Sequence, residues 1–224
     1  MHILAVETST EACSAALRIG EEVSECFEAG RRHAEVLLPM VDRLLAEAAL
    51  PVGRLDAVAF GCGPGMFTGL RIGAGIVQGI AFGADLPVVP VSSLAVLAQG
   101  VDARKVLAAF DARMEQVYWG RYVRDTRGLV RLEGEEVLVS PGSAPLPAGT
   151  GWTGAGNAWQ RYAGELGRRC AACLEHRDPG AAPHARDAAL LAVSYLQEGR
   201  AVSAEQAVPV YLREKVAKTM EEQQ

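Results

Sequence analysis

Residues 57–84 hold the types and spacings best suited to chemistry. A short apolar strand, Ala57 to Phe60, runs into Gly61-Cys-Gly-Pro-Gly-Met-Phe-Thr-Gly69 and then into a helix. Glycines between a strand and a helix N-terminus can turn backbone N–H groups toward an anion, helped by the helix dipole. No Gly-Lys-Ser/Thr follows, so this is not a Walker A loop. Nor is it the Gly-x-Gly-x-x-Gly turn of a first Rossmann strand. The plain alternative is a tight turn with close helix packing. The helix would contain Gly69, Gly73, Gly75, Gly79 and Gly83. Each interior glycine costs roughly 1 kcal/mol relative to alanine, which points to a close neighbour, a ligand, or both.

Three other constellations carry potential chemistry. Glu7-Thr8-Ser9-Thr10 closes the first strand candidate. An acidic residue with hydroxyls there can hold a metal–phosphate assembly, or it is an ordinary polar turn. Asp111-Ala112-Arg113 ends a later strand in the same way, but it lacks the glycine that lets phosphates approach, so an internal Asp–Arg pair is the better reading. Cys170-x-x-Cys173-x-x-His176 has metal-like spacing without a second pair, and two small apolar cysteines at a helix end fit it better. His33 has no second histidine within helical reach and reads as a capping or interface residue. No Ser/His/Asp set with family-type spacing is present.

The 224 residues, half of them hydrophobic, suffice for one large domain or two lobes. Residues 1–100 carry 6 Lys/Arg and 11 Asp/Glu, a net −5, and the remainder carries 16 of each. An acidic first half is a poor nucleic-acid surface, so a polynucleotide would be held mostly by a partner. Five cysteines without framework spacing suit a reducing cytosol. Glu7 follows closely on Ile3-Leu4-Ala5-Val6, which argues against a signal peptide or membrane span. Arg71 and Gln78 interrupt the glycine helix, so a cytoplasmic protein without a membrane association is expected.

Hydrophobic patterning predicts strands over 3–6, 13–19 and 23–28, the last two a hairpin. It predicts a helix over 31–50 with Ala34, Leu37, Leu38, Val41, Leu44, Leu45 and Ala48 on one face. Pro39 requires that helix to start near 33–35 or to bend. Strands over 55–60 and 87–91 and a helix over 94–99, capped by Ser92-Ser93, complete a β-β-β-α-β-α-β-α order. The second half restarts with strands over 105–110, 116–123 and 129–139, the last read as one strand or two. A Pro/Gly loop at 141–151, a glycine turn at 152–156, a helix through Arg169, a helix over 184–197 and an extended docking segment, Pro209-Val-Tyr-Leu-Arg213, follow. The shared opening, a strand ending in Glu7 or Asp111 and then a hairpin, is a weak internal duplication.

In order along the chain, Ile3-Leu-Ala-Val-Glu-Thr-Ser-Thr10, His33-Ala-Glu-x-Leu-Leu-Pro39, Gly63-Pro64-Gly65-Met-Phe67-Thr68-Gly69-Leu70-Arg71-Ile-Gly73, Val91-Ser-Ser-Leu94, Asp111-Ala-Arg113-Met and Pro209-Val-Tyr-Leu-Arg213 resemble the bacterial TsaB (YeaZ-like) family. The resemblance implies an α/β, two-lobed actin/Hsp70/sugar-kinase-like (RNase H-like) fold with mixed sheets flanked by helices. It also implies a role in making N6-threonylcarbamoyladenosine (t6A) in tRNA. The catalytic paralogue TsaD binds metal through a His-x-x-x-His motif, which here falls on Ser93 and Leu97. Leucine cannot ligate a metal, so the resemblance implies the non-catalytic partner. Two departures stand out: Glu7 where the family has Asp, and Met66 where it has Ser.

The expectation is a scaffold with lobes over 1–104 and 105–216 and a tail at 217–224. It would pair with TsaD, or with a second copy of itself, through His33, Leu37, Leu38, Val41, Leu44, Leu45, Leu70, Arg71, Gly73, Ala74, Val77 and Gln78. TsaE, an ATPase, would be a further partner, TsaC-type enzymes would act upstream, and tRNA would be met only through the complex. Glu7, Thr8, Ser9, Asp111 and Arg113 would be vestiges of a nucleotide site. The chain would hold no metal and no cofactor of its own, and nucleotide at the junction with TsaD stays open. The rival expectation is an ATP-dependent small-molecule kinase or metallo-glycoprotease of the same fold.

Overall fold

A computed structural model describes residues 1–213. The first sheet is built from β1 (His2–Glu7), β2 (Ala12–Ile19), β3 (Glu22–Ala29), β4 (Ala57–Gly63) and β5 (Val88–Ser92). Its order is β3-β2-β1-β4-β5, with β1 antiparallel to β2 and parallel to β4. The second sheet uses β6 (Lys105–Arg113), β7 (Gln116–Arg124), β8 (Val130–Leu132), β9 (Val137–Val139), β10 (Trp152–Ala155) and β11 (Leu174–Asp178). Its order is β11-β10-β6-β7-β8, with β9 also on β7. Strand for strand this repeats the first sheet: a central strand, an antiparallel hairpin on one side and two parallel strands on the other. The duplicated order is the two-lobed, RNase H-like arrangement.

The central strands lack polar alternation because helices cover both faces. Ile3, Leu4, Ala5 and Val6 are all buried. α1 (His33–Glu47) and α2 (Phe67–Ala84) cover the outer face of the first sheet. α4 (Ala158–Arg161) and α5 (Ala163–Arg169) cover the outer face of the second. Between the sheets lie α3 (Ser93–Gly100) and α6 (Ala185–Gln197), whose Leu94, Leu97, Ala188 and Leu191 join the largest apolar core. The last long helix therefore packs on β1 and β2 of the first lobe as well as on α3.

Local chemistry explains most boundaries. α1 begins at His33 and carries Pro39 in its interior. Ser92 caps α3 by accepting the Ala95 N–H at 3.4 Å. Three readings need correction. The segment 152–155 is a strand, β10, rather than a glycine turn. The helix through Arg169 is broken at Tyr162 into α4 and α5. β11, whose residues are mostly exposed and charged, shows no strand-like hydrophobic pattern because it is a sheet edge. The expected tail at 217–224 lies outside the described residues.

α6 begins with a buried carboxyl. Asp187 is 5 % exposed, and its Oδ2 faces Gly100 with no hydrogen-bond partner. Burial pushes its pKa from 3.8 up to about 6, opposed by Arg186, His184 and Arg124 and reinforced by Glu25. A carboxyl that holds its proton more tightly when folded stabilises the fold fully below its unfolded pKa and loses that stability as pH rises. The contribution of Asp187 to stability should therefore fall between pH 4 and pH 6, by up to about 3 kcal/mol at 1.36 kcal/mol per unit. Asp187→Asn should flatten that fall, read from urea midpoints across this range.

Candidate functional site

The helix glycines divide into two sets. Gly69 and Gly73 face inward: a Cβ on Gly69 would overlap the Thr8 carbonyl oxygen, and one on Gly73 the Thr8 hydroxyl. These two bare positions let α2 lie directly on the backbone leaving β1. Gly75, Gly79 and Gly83 face the other way, with nothing among the described residues within 4 Å of where a Cβ would stand. Half-buried Ile72, Ile76 and Ile80 flank them, and Phe82 is 74 % exposed. The outer face of α2 is thus a bare apolar strip.

This redraws the expected docking set. Leu37, Val41, Leu44, Leu45, Leu70, Gly73, Ala74 and Val77 are buried within the chain itself. They form the stripe by which α1 and α2 bind their own sheet, which is the usual fate of an amphipathic face. His33 is also buried, its Nε2–H donating to the Thr10 carbonyl at 2.9 Å. Leu38 remains exposed at 46 %. Arg71 lies over the Phe67 ring at 3.6 Å, and Gln78 donates to the Ala207 carbonyl at 3.1 Å. Phe82 escaped sequence reasoning because it sits on the face that periodicity assigns to solvent.

The two lobes frame a cleft of about 420 Å³ beside the N-terminus of α2. Ser9, Gly65, Met66, Phe67 and Thr68 line one wall, and Asp111, Arg113, Met114, Tyr118 and Asn157 the other. Pro64 leads into the loop between β4 and α2. Four of the charged side chains in the cleft are paired with one another. Arg31 binds Glu11, and Arg113 binds Asp111 at 3.3 Å. The Asp111 carboxylate also accepts the Arg113 N–H at 2.9 Å and the Tyr162 hydroxyl at 3.1 Å. Its own N–H donates to Asn157 Oδ1 at 2.8 Å. The internal Asp–Arg pair is what the geometry contains. Arg113, Met114 and Glu115 at the β6–β7 tip have φ of 62°, 51° and 57°. Such left-handed backbone costs on the order of 1 kcal/mol per residue.

Glu7 is not in this cleft. It is 1 % exposed, Oε1 accepts the Ser9 N–H at 2.6 Å, and Oε2 has no partner. It fits only because position 61 is glycine, where a Cβ would overlap Oε2. Burial raises its pKa, against hydrogen bonds from Ser9 and Ser93. A sealed carboxyl whose charged form is disfavoured by burial is a poor holder of a metal–phosphate assembly. Thr8, under α2, is equally spent on packing. The two positions corresponding to a metal pair are closed as well: Ser93 is fully buried and accepts the Gly63 N–H at 3.2 Å, and Leu97 is core. Cys170 and Cys173 are buried beside the second sheet, with Cys170 pushed up to about 12 by burial. His176 is exposed on β11. Among the described residues no group of three His, Cys, Asp or Glu could hold a metal ion.

Residues 27–143 match the family model described as TsaD, tRNA N6-adenosine threonylcarbamoyltransferase. The chain is 40 % identical over 225 residues to the tRNA threonylcarbamoyladenosine biosynthesis protein TsaB of Escherichia coli, covering 97 % of this chain and 96 % of that one. It is 52 % identical over 128 residues to the Haemophilus influenzae protein of the same description, about half of each chain. The solved structure of YeaZ from Pseudomonas aeruginosa superposes with a TM-score of 0.85 at 43 % identity, covering 94 % of this chain and 99 % of that one.

Two classes of glycine should respond oppositely to a methyl group. Gly69→Ala pushes a side chain into backbone and should cost about 2 kcal/mol or more. Gly79→Ala and Gly83→Ala enter open space and should each gain about 1 kcal/mol in the isolated chain. Urea denaturation of the three variants at a concentration that keeps the chain monomeric checks this.

Proposed function

We propose, from the premise that this chain belongs to the TsaB (YeaZ-like) family of tRNA threonylcarbamoyladenosine biosynthesis proteins, that it serves t6A synthesis as a non-catalytic scaffold docking the TsaD transferase. The observation that carries the reading is the outer face of α2. Gly75, Gly79 and Gly83 weaken the helix by roughly 1 kcal/mol each, and no contact among the described residues requires them. Bare backbone beside Ile76, Ile80 and Phe82 suits a second helix approaching closely. The partner we assign is a TsaD-type paralogue, because the TsaD family model spans 27–143 and so includes both α1 and α2. A relative of that kind carries equivalent helices and can pair about a local twofold axis, an isologous contact. Left unpaired, the same face would join two copies of this chain.

The non-catalytic reading rests on what has become of the chemical positions. Glu7 is sealed, the Asp111 carboxylate is engaged by Arg113 and Tyr162, and Ser93 and Leu97 stand where a metal pair would be needed. In this reading TsaE is a further partner, tRNA is met through the complex, the two lobes divide near 104/105, and the protein works in the cytoplasm. An active kinase or metallo-glycoprotease would need the site these residues have closed.

Gly79→Trp should lower self-association and TsaD capture at least tenfold while leaving the melting temperature within a few degrees, measured by sedimentation and pull-down. If both survive, the docking face lies elsewhere. Reconstituted t6A formation should require this chain and fail with Gly79→Trp. Calorimetric titration of the lone protein with ATP and magnesium should show no micromolar binding with turnover, and finding both would overturn the scaffold reading.

A further inference from the structure

The last described residues form a structure the docking reading does not use. After α6 the chain pairs Val202 with Val88, makes a 3-10 turn over Ala204–Gln206 and then runs as an irregular strap beside α2. On the first lobe the strap is pinned at three points. Gln78 donates to the Ala207 carbonyl, the Val210 N–H donates to the Cys62 carbonyl at 2.7 Å, and Arg71 Nε donates to the Tyr211 hydroxyl at 3.2 Å. The Tyr211 ring also meets Phe67 at 5.5 Å between centroids. The strap then crosses to the second lobe. Arg213 Nη2 donates to the Ala112 carbonyl at 3.0 Å, and Nη1 lies 3.4 Å from Met114 Sδ. Tyr211 and Arg213 both line the inter-lobe cleft.

Two further observations give this crossing a direction. The outer edge of the strap is apolar and open at Val208, Val210 and Tyr211, next to exposed Phe67 on α2. A body seated on the outer face of α2 therefore meets the strap too. At the other end, Arg213 grips the β6–β7 tip where Arg113, Met114 and Glu115 hold left-handed backbone. Such a tip keeps its conformation only while its surroundings hold it.

We infer that residues 207–213 are a clasp through which docking on α2 tightens the β6–β7 tip and so sets the mouth of the inter-lobe cleft. The inference rests on the docking reading above. A partner that orders Tyr211 and Arg71 steadies Arg213, and Arg213 steadies Ala112 to Met114. By reciprocity, a ligand or contact that fixes the tip favours docking by the same factor.

Amide hydrogen exchange of the full chain, above and below its self-association concentration, tests this with a second copy of the chain as the docked body. Exchange across 111–117 should slow at least threefold on association in the native chain. Arg213→Ala and Tyr211→Phe should each abolish the slowing while association persists. Persistence of the slowing in both variants overturns the clasp, as does its absence in a native chain that associates. If the native chain does not associate, the self-pairing part of the docking reading fails. The clasp is then judged on the isolated chain, where Arg213→Ala must speed exchange at 111–117 at least threefold, and unchanged exchange overturns it.

Discussion

The structure depends on how closely α2 lies on the backbone leaving β1. Thr8 presents its carbonyl and hydroxyl to Gly69 and Gly73 at distances no side chain could share. That contact sets the helix height above the sheet. It thereby decides which residues of α2 face the core and which face outward. Leu70, Ala74, Val77 and Ala81 drop into the apolar layer. Gly75, Gly79 and Gly83 are then turned to the opposite side by the helical period. The same contact lays the N-terminus of α2 along the cleft, so the docking face and the cleft meet at Phe67.

Once α2 is seated this way, residues that could hold a ligand have other duties. Thr8 is a packing platform. Glu7 lies behind Gly61, where desolvation favours its neutral form. Asp111 satisfies a strained hairpin tip rather than a cation. The Ser92 hydroxyl of the first lobe binds Glu136 of the second, where Tyr122 of the second lobe also binds it, and burial raises the pKa of that carboxyl. Polar groups at the lobe boundary therefore hold the lobes together.

Much of this was legible in the residues. Element order in the first lobe follows from runs such as Ile3 to Val6 and from Ser92 as a cap. The Asp111–Arg113 pair was readable because no glycine follows Asp111. The assignment of Leu37, Val41 and Val77 to a docking surface was the misreading. Periodicity shows that a helix has an apolar face, but not whether its own sheet or another molecule covers it. With one sheet available, the sheet takes that face. β11 was hidden because an edge strand carries charge, and the clasp because Arg213 and Met114 are remote in sequence.

The duplicated topology bears on why the docking we propose falls on the first lobe. Both sheets follow one plan, but the helices on their outer faces differ. α2 runs 18 residues without interruption, whereas α4 and α5 span 4 and 7 residues and are broken at Tyr162. At 1.5 Å per residue, α2 offers a straight edge of about 27 Å. The second lobe has no comparable edge among the described residues. Charge runs the same way. The net −5 of residues 1–100 sits on the lobe with the long helix, which makes that surface unfit for phosphate contacts. A long, bare, apolar helix on an acidic lobe suits another protein far better than a nucleic acid.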